Sequence, residues 1–415
     1  MAHHLPDNVR YYYLHRSQLV AKYNLRSFGN EVDDSLEMHK AVLTAIVTIL
    51  LTISTILTIC SLDTPAFCNS AIDDNLQFLT YKDYCVLPYM TKSLLENSME
   101  IFDRITLVVH ISADLLDHRI IEQVDAWEGP VTLSVVIPSV GVLSNIHKIQ
   151  HKLSQLPKSV LQKLSAHLLF RSKNGCTTDA VTSLNEEDTI GKYPVNVARN
   201  VARMLVRSKY ILLGDYEFIF SKGFESRMRK LANDELTKNP KTALVFRIFE
   251  VNDTIQRLPR DKATLRKLFF DGMVVEFHAK FTHNAHKIPR LIDWFNHPVD
   301  NSKASLNTIL PFSRRDWEPQ FVSLNTIPFH DENFPFSLRD NTVLRWEMCR
   351  QNYTFVLVND MFMVHRGIKT VKDAPETKKL QKRSRSQFTN AIELFRKRMD
   401  KFFPETKQKC PEFGA

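Results

Sequence analysis

The chain has 415 residues, 44% hydrophobic and 24% charged, with only 10 Gly and 18 Pro. That balance excludes a disordered, collagen-like or low-complexity chain, and no repeat at solenoid spacing is visible. The formal net charge is +9, but no zinc-finger spacing or RNA-recognition signature accompanies it, so no nucleic-acid partner is expected.

Residues 1–40 are polar, carry the run Tyr11-Tyr12-Tyr13, and read as a cytosolic tail. Ala41 to Cys60 then reads AVLTAIVTILLTISTILTIC, without a charge, Pro or Gly. About 20 such residues, at a rise of ~1.5 Å each, cross a hydrocarbon core of ~30 Å, so residues 41–62 are expected to be a transmembrane signal anchor. Lys22, Arg26 and Lys40 precede the span, and only Lys82 follows at a similar distance. Positive charge stays on the cytosolic side, which predicts a type II protein whose long C-terminal part is lumenal. Residues 63–100 read as a stem and 101–415 as the folded domain. Cys68, Cys85, Cys176, Cys349 and Cys410 lie beyond the span, where an oxidising lumen permits disulfides. Their pairing stays open, although Cys68 and Cys85 are near enough in sequence to close a local loop. Two N-glycosylation sequons, Asn252-Asp253-Thr254 and Asn352-Tyr353-Thr354, lie on the same side.

The domain begins with a buried-strand pattern, Ile105 to Val109. A helical stretch follows from Leu115 to Trp127, Gly129-Pro130 breaks it, and a second strand is expected from Val131 to Ile137. Repetition of this order toward Leu168-Leu169-Phe170 predicts an α/β architecture with a mainly parallel sheet. Pro194 suits a helix start. After it, Asn196, Arg199, Asn200 and Arg203 fall on one helical face, with Val197, Val201 and Leu205 on the next. The polar face is either a surface stripe or a set of groups that reach a nucleotide or fix a loop.

The next strand, Tyr210 to Leu213, runs out into Gly214-Asp215-Tyr216-Glu217. Ligands of α/β sheets sit at the carboxyl ends of strands. Two acids placed there can share a divalent ion whose other ligands are diphosphate oxygens. Farther on come Trp317-Glu318-Pro319, then His330-Asp331-Glu332, then a closing strand Thr354 to Val358 that leads to Val364-His365. The last fifty residues are rich in Lys and Arg and read as the solvated face of a C-terminal helix.

Together these pieces resemble glycosyltransferase family 49. The resemblance covers roughly Ile105 to Lys369 and rests on the order of several signatures: Trp127-Glu128-Gly129-Pro130, Tyr193-Pro194-Val195-Asn196-Val197-Ala198-Arg199-Asn200, Trp317-Glu318-Pro319, Asp331-Glu332 and Val364-His365-Arg366-Gly367. It implies a GT-A-type, Rossmann-like fold with a mixed sheet, a Golgi membrane location, a UDP-sugar donor, a glycan or glycoprotein acceptor and Mn²⁺. Residue by residue, it implies that Asp215 and Glu217 are the family's acidic metal motif, completed by His365. Asn196, Arg199 and Asn200 match the helix beside the nucleotide. Asp331 matches an acid near the acceptor and is the expected general base, with Glu332 second. Two departures stand out: the second acid is Glu217 where the family usually has Asp, and Arg339-Asp340 replaces an aromatic–Asn pair. The implied activity is inverting sugar transfer by single displacement. The alternative is a degenerate member that keeps the fold and acts as a lumenal glycan-binding or scaffolding protein.

Overall fold

The computed structural model describes residues 76–182, 184, 193–282 and 285–414. They lie in one compact unit, Ile72–Ala415. The expected tail and anchor, residues 1–62, fall outside the described residues, as does Cys68. Among the described residues no helix is long and apolar enough to cross a membrane.

Twelve strands form one sheet: β1 (Leu79–Tyr81), β2 (Tyr84–Thr91), β3 (Ile105–Ser112), β4 (Val131–Val136), β5 (Leu164–Arg171), β6 (Tyr210–Leu213), β7 (Ile219–Phe220), β8 (Thr242–Val251), β9 (Val274–Glu276), β10 (Leu306–Leu310), β11 (Gln320–Leu324) and β12 (Thr354–Arg366). The main path runs β1-β2-β5-β4-β3-β6-β11-β8-β12-β10, with β7 on β12 and β9 on β8. β5, β4, β3 and β6 are parallel to one another, as the strand–helix–strand pattern predicts. β11 then runs antiparallel between β6 and β8, which makes the sheet mixed. The main helices are α1 (Arg119–Ala126), α2 (Val142–Ser154), α3 (Val195–Met204), α4 (Phe224–Glu235), α5 (Lys262–Phe270), α6 (Thr342–Arg350) and α7 (Ala374–Phe402).

Continuous apolar strands are those covered on both faces. β8 is buried at every position and β3 at all but His110 and Ser112. One core holds the β3–β5 half with Trp127, and a second holds the β8–β12 half with Trp294 and Trp346. β12 spans 13 residues, joining the two apolar runs expected as separate pieces. Its register shifts between Leu357 and Phe362, around Asp360 at φ 67°. The Asp360 carboxylate is buried there against Lys262 (2.5 Å) and Arg227 (3.3 Å). A charge inside an otherwise apolar run is tolerated because it is paired twice.

The stem expected over 63–100 is shorter than the sequence implies. β1 and β2 form a hairpin on the β5 edge of the sheet. Cys85 of β2 is bonded to Cys176, not to Cys68, and Cys349 is bonded to Cys410. The basic C-terminal segment is α7. Phe388, Ala391, Ile392, Phe395 and Met399 are its buried face, at the three- and four-residue spacing of an amphipathic helix.

Candidate active site

β6 ends at Leu213, and the chain turns at Gly214, where a Cβ would stand 3.0 Å from Leu107 Cδ1. The turn carries Asp215 and Glu217 out at the carboxyl edge of the sheet. Glu217 sits at φ 84°, a left-handed conformation that non-glycine residues adopt at a cost. The loop is braced from α1 and the segment before it. Gln123 donates to the Asp215 carbonyl at 2.9 Å, and the Tyr216 hydroxyl donates to the Asp117 carbonyl at 2.9 Å.

The two acids turn apart. Asp215 faces Arg199 of α3, with Nη2 3.4 Å from Oδ1, and His110 of β3, with Nε2 4.0 Å from the same oxygen. Burial works against ionisation of Asp215, but Arg199, His110 and Arg345 together hold the carboxyl below its usual range. Burial lowers His110 to about 3. It is therefore neutral and hydrogen-bonded through Nδ1 to the Tyr193 hydroxyl at 2.8 Å. Glu217 pairs with Arg119 through Oε1. Its Oε2 stands 3.9 Å from Nε2 of His365, which β12 delivers to the same edge. Burial depresses the His365 imidazole, despite the Gly367 backbone and Glu217, so it is a neutral nitrogen donor.

The expected three-ligand set is thus brought together only in part. Glu217 and His365 meet, while Asp215 is drawn to Arg199. Among the described residues no group of three His, Cys, Asp or Glu side chains stands close enough to hold one metal ion. The physical reason is visible: two arginines already neutralise the two acids.

The polar face of α3 is buried, not a surface stripe. Its asparagines fix the loop that carries His330, Asp331 and Glu332, the second of the two roles expected for this face. Asn196 Nδ2 donates to the Asp331 carbonyl at 2.9 Å. Asn200 Nδ2 donates to the His330 carbonyl (2.9 Å) and to Glu332 Oε1 (2.7 Å), while Asn200 Oδ1 accepts from the His330 N–H (3.0 Å). Arg203 is likewise committed to the Asn325–Pro328 loop, donating to Asn325 Oδ1 (3.0 Å) and the Asn325 carbonyl (2.8 Å). Arg199 alone reaches the acid loop, through Asp215.

Asp331 and Glu332, the expected base and its second, are both held by protein partners. Asp331 Oδ1 accepts from the Asn333 side chain (2.9 Å) and backbone (3.1 Å), and Oδ2 pairs with Arg398 of α7 at 3.0 Å. Glu332 Oε1 accepts from Tyr81 (2.5 Å) and Asn200, and Oε2 pairs with Lys82. Each of their four carboxylate oxygens has a partner.

Asp340 is the acid that sequence reading did not assign to chemistry. Its Oδ2 accepts from Arg199 Nη1 at 2.9 Å, so one guanidinium spans Asp340 and Asp215. His110 and Arg119 were also missed. His110 carried a signal, a polar residue near the end of an apolar strand beside β6. Arg119 carried none, because its role depends on where α1 packs.

The model of the family described as "Glycosyl-transferase for dystroglycan" matches residues 104–403. The chain belongs to this family, glycosyltransferase family 49. It is a glycosyltransferase. Beta-1,4-glucuronyltransferase 1 of Mus musculus is 23% identical over 345 residues, covering 77% of this chain and 80% of that protein. Xylosyl- and glucuronyltransferase LARGE1 of Mus musculus is 21% identical over 262 residues, which is 63% of this chain but only 31% of that protein. Among solved structures, a crystal structure of GalNAc-T7 with UDP, GalNAc and Mn²⁺ aligns at 6% identity over 74% of this chain and 51% of its own, with a TM-score of 0.36.

Proposed function

We propose that this family 49 member is an inverting, GT-A-type transferase that moves a sugar from a UDP-sugar to a glycan acceptor, with a divalent cation bound at the Glu217–His365 edge. The single observation that carries the reading is the 3.9 Å separation of Glu217 Oε2 and His365 Nε2 at the mouth of the parallel strands. Ligand bonds of ~2.0–2.2 Å to one ion put their donor atoms roughly 3–4 Å apart. A carboxylate and a neutral imidazole form the mixed oxygen–nitrogen set that suits Mn²⁺. Glu217 and His365 would hold the ion, with Asp215 as a third donor. A bound cation would neutralise the charge gathering on the departing diphosphate.

The chain's own residues do the rest. Arg119 and Arg199, which pair with Glu217 and Asp215, would be the nearest cationic groups for phosphate oxygens. The names of the relatives point to glucuronyl and xylosyl donors. The uncharged span 41–62, the Lys22, Arg26 and Lys40 bias and the two disulfides support a Golgi, type II, lumenal placement.

The test is calorimetric titration of UDP into the full-length protein with and without Mn²⁺, for wild type, Glu217→Ala and His365→Ala. Wild type is expected to bind UDP tightly only with Mn²⁺, and each variant to lose metal and UDP affinity together. UDP binding that ignores Mn²⁺ overturns the metal assignment. Turnover is then read as UDP release from UDP-glucuronic acid, UDP-xylose and UDP-N-acetylglucosamine, with p-nitrophenyl xyloside or glucuronide as acceptor. A chain that binds these ligands but never transfers is the degenerate alternative.

A further inference from the structure

We infer that Glu318 is the group that takes the proton from the attacking acceptor hydroxyl. This rests on the transferase reading above and goes beyond it, because that reading needs a carboxylate without saying which.

Place in the sheet is the first ground. β11 runs antiparallel between β6 and β8, so its amino end meets their carboxyl ends. Val322 pairs with Leu212, and the same register continued back past Gln320 sets Glu318 at the level of the turn that carries Asp215 and Glu217. On the other side Gln320 pairs with Phe246, which sets Glu318 level with Ile248, the partner of Met363 in β12. His365 follows Met363 by two residues. Glu318 therefore leaves the sheet between the two strands that deliver the expected cation ligands.

The way it is held is the second ground. The Glu318 N–H donates to the Ala285 carbonyl at 2.7 Å, and His286 Nδ1 donates to the Glu318 carbonyl at 3.0 Å. Oε1 accepts from the Thr342 hydroxyl at the start of α6. Backbone and one carboxylate oxygen are fixed, which orients the other oxygen.

That other oxygen is the third ground. Oε2 has no hydrogen-bond partner among the described residues, and the side chain is 21% exposed. His286 Nε2 stands 3.8 Å from it, too far for a direct hydrogen bond. A carbonyl can only accept, so the His286 proton sits on Nδ1. Burial depresses the imidazole, against the pull of Glu318, and leaves Nε2 a bare lone pair. Two acceptors thus face each other, and what satisfies them must bring a proton, as a sugar hydroxyl does. A base needs such an unoccupied lone pair. The oxygens of Asp331 and Glu332 all have protein partners, and Asp340 faces the Arg199 guanidinium. Glu318 also lies inside the Trp317-Glu318-Pro319 signature, whereas Asp340 is a departure from the family pattern.

In the reaction, the acceptor O–H passes its proton to Glu318 Oε2 as its oxygen attacks the anomeric carbon. The new C–O bond forms while the bond from that carbon to the diphosphate oxygen breaks. The electron pair leaves with UDP.

The experiment measures kcat for UDP release with acceptor, and the affinity for UDP, in full-length wild type, Glu318→Gln, Glu318→Ala and Asp331→Ala. Glu318→Gln keeps the shape and an oxygen for Thr342, and is expected to lower kcat by ~100-fold or more with UDP affinity within about 3-fold. Sodium formate, a small carboxylate that can enter the space left by the side chain, is expected to raise kcat of Glu318→Ala by ~10-fold and to leave Asp331→Ala unchanged. Rescue of this kind separates a missing base from a misfolded variant. A Glu318→Gln enzyme with kcat near wild type overturns the assignment while leaving the transferase reading intact. So does a loss of UDP affinity as large as the loss of kcat, which would make Glu318 a donor-site group. Formate rescue of Asp331→Ala but not of Glu318→Ala overturns it in favour of Asp331. A wild type that transfers nothing from any of the three donors overturns the reading and the assignment together.

Discussion

Single residues carried two kinds of signal, and only one was legible in advance. Asp215 and His365 could be read because each ends an apolar strand, and strand ends converge on the carboxyl edge. Asp340 could not, because its placement depends on two left-handed residues and on an arginine 141 positions away. The asparagines of α3 left two roles open for a related reason: a side-chain amide has equal use for a nucleotide or for a loop backbone, and spacing does not distinguish them. Asp331 pairs with Arg398 at 3.0 Å, so Asp331→Asn is expected to weaken that contact. It should cost about 1–2 kcal/mol of stability and less than ~10-fold in kcat. Thermal melting and turnover check both, and a ~100-fold drop in a well-folded variant would mark Asp331 as the base. His167 supplies a pH dependence. Its Nδ1 accepts from the Tyr89 N–H at 3.0 Å, so the ring proton sits on Nε2, 3.1 Å from Thr132 Oγ1. A second proton would face the Tyr89 donor, and burial holds the imidazole near 3 in place of its ordinary 6.5. A base with a lowered folded value stabilises fully above about pH 6.5 and loses that contribution as pH falls toward about 3. Melting temperature should therefore drop on acidification, and less steeply in His167→Gln. Equal slopes in the two proteins would show that His167 is not responsible.

Among the elements, the parallel half of the sheet was readable because each strand is a short apolar run followed by a helix. β11 was not, since Gln320–Leu324 has no feature that says it will run antiparallel between two strands. The basic C-terminal segment was correctly expected as a helix, but what fastens it could not be read from cysteine spacing. Cys410 lies beyond α7 and is bonded to Cys349 in α6. Phe413 stacks on Trp346 with ring centroids 5.0 Å apart. Arg398 of α7 reaches back to Glu347 at 2.7 Å. Opening the Cys349–Cys410 bridge releases a closed loop of some sixty residues and should cost about 2–4 kcal/mol. The double variant Cys349→Ser, Cys410→Ser should melt lower and show faster amide exchange in α7 than in β3 and β4. UDP affinity should be kept, because the acid loop lies on other elements. Uniform acceleration of exchange across the sheet would contradict this local picture.

Over the molecule as a whole, the least legible feature was the hairpin β1–β2, hidden in a segment whose sequence resembles a connector. Tyr81 and Lys82 in its turn reach Glu332, roughly 250 positions later in the chain. Cys85 ties the same hairpin to Cys176. The hairpin also caps the β5 side of the sheet, leaving three-residue β1 and the far end of β2 at that margin. Unpaired strand margins recruit other chains, and short outermost strands limit that hazard. This bears on how the protein is shortened for expression. A truncation begun near residue 100, at the apparent domain start, would bare the full length of β5 as an open template and leave Cys176 as an unpaired thiol. Such a fragment would be prone to strand-to-strand and thiol-linked aggregation during secretion, even with every residue of the acid loop intact. A start before Leu79 keeps β5 covered and Cys176 paired.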